Sequence, residues 1–177
     1  MQMVRRSTAP NPAENAFPQA NSFGRLVDVL ELSSSRTVDE ELMARTWDVS
    51  TRQGSYYYSA ANYVGLVYKR GGWIRPTRAG EAIMAIQDPQ QRKAAIYGMV
   101  LALPVFREAA IHVADRGSLP DTEELARWIM TEDGKVNHVT AGRRATTVMS
   151  WMQRLLDESP NAVVGLMGTP TEGMYRA

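Results

Sequence analysis

The sequence predicts a mainly α-helical protein that carries one small β-hairpin. Residues 22–87 contain three helical segments, a candidate hairpin and a fourth short helical segment, in that order. Residues 104–157 repeat the order of three helical segments but have no clear hairpin. Because short links join the segments, this order predicts a winged helix-turn-helix followed by a second, degenerate helix-turn-helix unit.

The expected domain organisation has four parts. A flexible N-terminal arm over residues 1–21 holds three prolines and no periodic apolar pattern. The winged helix-turn-helix would span 22–87 and the second helical subdomain 88–158. Residues 159–177 would form a closing segment or tail.

Apolar residues at helical spacing predict the first two helices. The segment SFGRLVDVLEL, residues 22–32, has such a stripe, and the SSSR that follows it predicts a turn. In TVDEELMARTW, residues 37–47, Thr37 and Glu40 have the spacing of a capping box.

The stretch TRQGSYYYSAANYVGL, residues 51–66, predicts a third helix capped by Ser50 or Thr51. Its core stripe at helical spacing consists of Tyr57, Ala60, Ala61 and Val64.

Two short strand candidates flank Gly71 and Gly72, a pair that favours a tight hairpin turn. Trp73 is expected to pack this hairpin onto the helices, and Thr77 to begin the fourth helix.

Cap residues predict the helices of the second half. Pro89 and Pro104 each begin a helix, and Asp121 caps a third. Thr140 is expected to cap the last long helix, whose buried stripe comprises Ala141, Ala145, Val148, Met152 and Leu155.

Charge is unevenly distributed, although the net charge is only +1. Residues 49–80 contain no acid but five basic residues, namely Arg52, Lys69, Arg70, Arg75 and Arg78. Residues 134–156 also contain no acid but four basic residues, namely Lys135, Arg143, Arg144 and Arg154. Since local positive fields steer anionic partners, we expect two basic surfaces.

Both basic stretches supply candidate DNA contacts, because Arg and Asn pair with base edges and hydroxyls with phosphates. The third helix offers Arg52, Gln53, Ser55, Tyr56, Ser59 and Asn62. The hairpin offers backbone contacts from Lys69, Arg70 and Arg75. The last helix offers an outward face, near an anion-favouring N-terminus, with Arg143, Arg144, Thr147 and Ser150. A solvated or gap-filling role remains the competing interpretation of each.

Three strings, RQGSYYYSAANYVGLV, WIRPTRAG and GRRATTVMSWMQRLL, resemble the winged-helix recognition region of a set of type II restriction endonucleases. The resemblance implies a two-part module that places helices in the major groove of double-stranded DNA. It further implies a role in restriction, its control or phage defence, and is compatible with a separate nuclease or other defence protein as partner. The chain departs from the pattern at Gly54, where the family has an acid or a polar residue, and at Pro76, where it has leucine.

The favoured interpretation is duplex-DNA binding without chemistry, with no cofactor, catalytic residue or metal ligand. An alternative is a protein-interaction module that uses the winged helix as an assembly surface. A small Mg²⁺-dependent nuclease is less favoured. The string at Pro120-Asp121 and Asp133-Gly134-Lys135 matches its PD…DxK pattern, but Asp121 has the position of a helix cap and Asp133 lies in a glycine turn.

Composition adds three weaker expectations. The chain has no cysteine, which excludes disulfides and thiolate zinc sites and fits a cytoplasmic protein. No apolar run reaches the ~20 residues of a membrane span. A homodimer is compatible with the sequence.

Overall fold

A computed structural model describes residues 22–159 of the chain, so the arm over 1–21 and the tail beyond residue 159 lie outside it. The described residues form eight helices and one two-stranded antiparallel sheet. The prediction of a mainly helical fold with a small hairpin is therefore confirmed. In chain order the elements are α1 Gly24–Ser35, α2 Glu40–Trp47, α3 Thr51–Tyr63, β1 Val67–Arg70, β2 Trp73–Pro76, α4 Arg78–Met84, α5 Pro89–Leu101, α6 Pro104–Arg116, α7 Thr122–Glu132 and α8 His138–Glu158.

The described chain divides into two compact units. Unit 1 covers Gly24–Ala85, and unit 2 covers the residues from Ile86 onward together with Phe23. The division falls close to the boundary expected after residue 87. Phe23 lies in the segment SFGRLVDVLEL that predicts the first helix, but it belongs to unit 2.

Unit 1 has the helix and strand order of a winged helix-turn-helix, with one addition. An isolated antiparallel bridge joins Val38 to Ile74, and the Ile74 amide donates to the Val38 carbonyl at 2.8 Å. The segment between α1 and α2 therefore pairs with the hairpin. A bridge of one residue has no periodicity, so no sequence pattern predicts it.

The caps of unit 1 correct two sequence expectations. The SSSR segment is not a turn, because α1 continues to Ser35. Asp39, not Thr37, caps α2, and its carboxylate accepts from the Leu42 amide at 2.7 Å. Ser50 caps α3 in a reciprocal capping box with Gln53, as one of the two expected caps.

The hairpin turn contains Gly71 at φ 60° and Gly72 at φ 85°. Side-chain-bearing residues rarely adopt this left-handed region, which explains the glycine pair. The expectation that Trp73 packs inward is wrong. The buried residue of β2 is the adjacent Ile74, whereas Trp73 is 43% exposed.

Unit 2 contains four helices and no strand among its described residues. The stripe predicted for α8 is fully buried. Beside it, Trp151 stacks on Phe106 at 5.5 Å and meets Phe23 edge-on at 5.5 Å. The start of α8 was misplaced, because Asn137 caps it by accepting from the Thr140 amide at 2.9 Å.

Within residues 22–159 no single helix has the length and apolar composition needed to cross a membrane. Only α5 and α6 taken together satisfy that test, and they are bent by 98° where they meet.

Candidate nucleic-acid interface

A close contact between α2 and α3 fixes which side of α3 faces outward. Gly54 is buried on α3, and a Cβ added to it would lie 2.7 Å from the Glu40 carbonyl oxygen. The two backbones can approach this closely only because the position has no side chain. The departure of Gly54 from the endonuclease pattern therefore has a packing cause in this chain.

The outward side of α3 carries a coupled arginine and tyrosine. The Arg52 Nε–H donates to the Tyr56 hydroxyl at 2.7 Å, and the guanidinium lies 5.5 Å from the centre of the same ring. Arg52 is exposed and Tyr56 is half-buried, as are Ser55 and Ser59. Four of the six candidates expected on α3, namely Arg52, Ser55, Tyr56 and Ser59, thus share this face at helical spacing. Gln53 is exposed but engaged in the α3 capping box.

Two other polar side chains of α3, one of them the candidate Asn62, have structural roles. The Asn62 side-chain amide donates to the Val67 carbonyl at 2.8 Å, so it ties the end of α3 to β1 instead of facing a partner. Tyr57 meets Trp47 edge-on at 5.9 Å, and the Arg25 guanidinium lies within 6 Å of both ring centres. Tyr57 therefore packs within unit 1, as predicted.

Lys69 on the hairpin is neutralised by an acid from α2. Its ammonium lies 2.7 Å from both carboxylate oxygens of Glu40 and 5.9 Å from the centre of the Tyr58 ring. Burial, and then the Glu40 charge, raise the pKa of Tyr58. Residues 49–80 are free of acids in sequence, but this lysine is not free of one in space.

Arg70 and Arg75 remain available on the other side of the hairpin. The strands pair Tyr68 with Arg75 and Arg70 with Trp73. Because paired residues share a face and alternate residues share a face, these four side chains lie on one surface. We call Tyr68, Arg70, Trp73 and Arg75 the outer wing face. All four are exposed, and neither arginine has an acidic partner within the described chain.

The surface expected on α8 is only partly present. Arg144 is buried and its guanidinium pairs with Asp133 at 3.1 Å, and Thr147 is 1% exposed. The expectation that both face outward is wrong, because α8 buries a broader face than its apolar stripe. Arg143 and Ser150 are exposed as expected.

The acids of the PD…DxK string have structural roles. Asp121 caps α7 by accepting from the Glu124 amide at 2.7 Å. Asp133 follows the end of α7 and pairs with Arg144. Among residues 22–159 no group of three His, Asp or Glu side chains is placed to hold a metal ion.

The fold and this surface define a mainly helical protein whose first unit presents an arginine-bearing helix beside an arginine-bearing hairpin. The chain belongs to the family described as Domain of unknown function (DUF7226), whose model matches residues 25–159. Neither a curated protein nor a solved structure matches the chain.

Proposed function

We propose that this protein binds double-stranded DNA through unit 1. In this proposal α3 enters the major groove and the hairpin follows the sugar-phosphate backbone. The observation that carries the proposal is the outward side of α3, where Arg52 and Tyr56 are coupled. The hairpin beside it carries two exposed arginines that have no acidic partner among the described residues.

The geometry of Arg52 suits recognition of a base edge. Its bond to the Tyr56 hydroxyl restricts the guanidinium before any partner binds. Such preorganisation lowers the entropic cost of ordering a long side chain at an interface. An arginine held in this way can donate two parallel hydrogen bonds to guanine.

Arg70, Arg75 and Arg78 would supply the phosphate contacts. All three are exposed, and none has an acidic partner among the described residues. Lys69 contributes less, because binding phosphate would require it to leave Glu40. Two of the four expected positions on α8 are buried, so unit 2 would add at most a minor contact through Arg143.

The salt dependence of binding tests this assignment. If the three phosphate-binding arginines each neutralise one phosphate, the affinity should fall with a log–log slope of about −2.7. We expect this slope in fluorescence-anisotropy titrations of the full chain with a labelled duplex. An affinity that does not change with salt concentration would contradict duplex binding and favour a protein-interaction module.

A matched pair of variants tests the role of α3. Arg52→Ala should weaken duplex binding by about tenfold or more, because a good bidentate base contact is worth about 1–3 kcal/mol. Arg45→Ala is the control, since Arg45 is an exposed arginine on α2 that faces Glu41 at 3.9 Å. Equal effects of the two changes would count against recognition by α3.

The biological setting is proposed on the resemblance alone. A likeness to restriction-endonuclease recognition regions supports a role in restriction or phage defence, with a separate nuclease as partner. Selection of bound sites from random duplexes would test both duplex binding and sequence preference.

A further inference from the structure

The outer wing face combines two exposed aromatic rings with two arginines that have no acidic partner within residues 22–159. Among the described residues, the exposed large apolar side chains are Tyr68, Trp73 and Val139. Two of these three lie on this four-residue hairpin face, 37% and 43% exposed. Binding of the DNA sugar-phosphate backbone by the hairpin would require Arg70 and Arg75. It does not explain why two aromatic rings are exposed beside these arginines.

The register alternates ring and cation on this face. Tyr68 faces Arg75 across the ladder, and Arg70 faces Trp73. Tyr68 and Trp73 are therefore diagonal neighbours, and the Cα atoms of such pairs stand about 7–8 Å apart. Successive stacked bases rise by about 3.4 Å, so a gap of this size is close to that needed for one base between two rings.

A depression of about 370 Å³ adjoins the outer wing face. Tyr68 and Arg75 line it, with Arg36 and Glu81 on its other walls. Its volume falls within the range of small-ligand sites. The Tyr68 ring thus borders a concave surface that has room for a nucleotide displaced from a strand.

We infer that the outer wing face binds an unpaired stretch of nucleic acid, with bases stacked on Trp73 and Tyr68 and phosphates held by Arg70 and Arg75. Aromatic platforms flanked by cations are the general solution for single-stranded ligands, since every base has a π face. Paired bases inside a duplex cannot reach such rings. This site therefore goes beyond the proposed duplex binding and does not depend on α3.

Comparison with an abasic strand separates the contribution of base stacking to the affinity from that of phosphate charge. The probe is a thymidine oligonucleotide about 16 nucleotides long, compared with an abasic oligonucleotide of the same length and phosphate count. We expect the full chain to bind the thymidine strand at least about fivefold more tightly, with quenching of Trp73 fluorescence. Equal affinity for the two strands, or no binding to either, would overturn the inference.

Trp73→Ala should remove this preference, and Trp73→Phe should keep most of it. Val139→Ala is the control, because Val139 is an exposed apolar residue of unit 2. Circular dichroism should show the same melting temperature for Trp73→Ala as for the original chain, since the indole is not part of the core. A Trp73→Ala protein that is fully folded and still prefers the thymidine strand would overturn the inference.

Measurements with a blunt duplex distinguish failure of this site from failure of the proposed function. The two proposals share Arg70 and Arg75 but differ in α3 and in the two rings. Loss of duplex binding in Arg52→Ala, with thymidine binding kept, supports a stacking site that does not require α3. Thymidine binding that depends on Trp73 supports the outer wing face even if no duplex is bound. Duplex binding with no preference for bases over abasic sites refutes the stacking site and leaves the duplex proposal standing.

Discussion

Two adjacent arginines at the start of α8 have opposite environments. Arg143 is exposed, whereas the buried guanidinium of Arg144 lies against Asp133. A double substitution of both residues would therefore confuse the loss of a surface charge with the loss of a buried ion pair. Only a substitution of Arg143 can therefore test for contact with a binding partner.

We expect Arg144→Ala to lower the free energy of unfolding by about 1–3 kcal/mol, because the change removes a charge-assisted hydrogen bond and the packing of the side-chain stem. Arg143→Ala should change it by less than about 0.5 kcal/mol. Urea denaturation followed by circular dichroism measures both. Equal stabilities would contradict the structural role of Arg144.

At the residue scale, the sequence could predict which positions are apolar but not always which point inward. In the four-residue strand β2, Trp73 and Ile74 are both apolar neighbours, and a shift of one residue exchanges the two faces. The bridge to Val38 settles the choice by placing Ile74 inside. That bridge spans residues distant in sequence, so no local pattern shows it.

At the element scale, the crossing of α2 and α3 depends on one missing side chain. Gly54→Ala would place a Cβ 2.7 Å from the Glu40 carbonyl oxygen. Since backbone would have to move, we expect a loss of about 1–3 kcal/mol in stability. Duplex binding should weaken too, because α3 would be displaced.

Gly98→Ala is the matched control for this change. Gly98 also lies within a helix, but an added Cβ would meet nothing within 4 Å. Alanine there should raise stability by about 0.4–1 kcal/mol, since it restricts the unfolded chain. Thermal melts of both variants measure the contrast. A gain in stability for Gly54→Ala similar to that for Gly98→Ala would contradict the α2–α3 contact, because alanine would then act through helix propensity alone.

Helix starts could be predicted well where one residue was proposed for the start, as at Asp121 and Pro89. The predicted helix starts differ from the observed ones where two possible cap residues lie near each other. Asn137 and Thr140 are both acceptable caps, and Asp39 competes with Thr37 in the same way. Which side chain captures the free amides depends on packing of the helix that follows, which sequence alone does not specify.

At the scale of the whole molecule, absence of acids along the chain did not mean absence of acids in space. Glu40 reaches Lys69 from α2, and Asp133 reaches Arg144 from α7. Both acids lie just outside the acid-free stretches in sequence. The candidate site on α3 could be predicted in outline from the sequence. The neutralisation of Lys69 and Arg144 could not be predicted, because it depends on the tertiary fold.

Glu158, the last residue of α8, gives unit 2 a dependence on pH. It accepts hydrogen bonds from Lys93, Tyr97 and Arg154. The bond from Lys93 and then that from Tyr97 lower the pKa of Glu158 from 4.5 to about 2. Burial, followed by the bond to Glu158, raises the pKa of Tyr97.

A carboxylate whose pKa is lower in the folded state adds stability above its unfolded pKa and loses it as pH falls toward the folded value. We therefore expect Glu158→Gln to melt at a lower temperature than the original chain near neutral pH. The difference should shrink between pH 4.5 and about 2. Glu132→Gln, an exposed acid of the same unit, is the control, and a constant difference for Glu158→Gln across that window would refute the linkage.

The placement of Phe23 makes unit 2 discontinuous along the chain. Its ring meets Tyr97 at 5.0 Å and Trp151 at 5.5 Å, whereas Gly24, one peptide bond later, begins unit 1. A gene fragment that starts at residue 86 would leave both partner rings without this neighbour. Unit 2 therefore cannot be transferred to another protein as one continuous segment without losing Phe23. A recombination that preserves both cores must transfer residues 23–159 together.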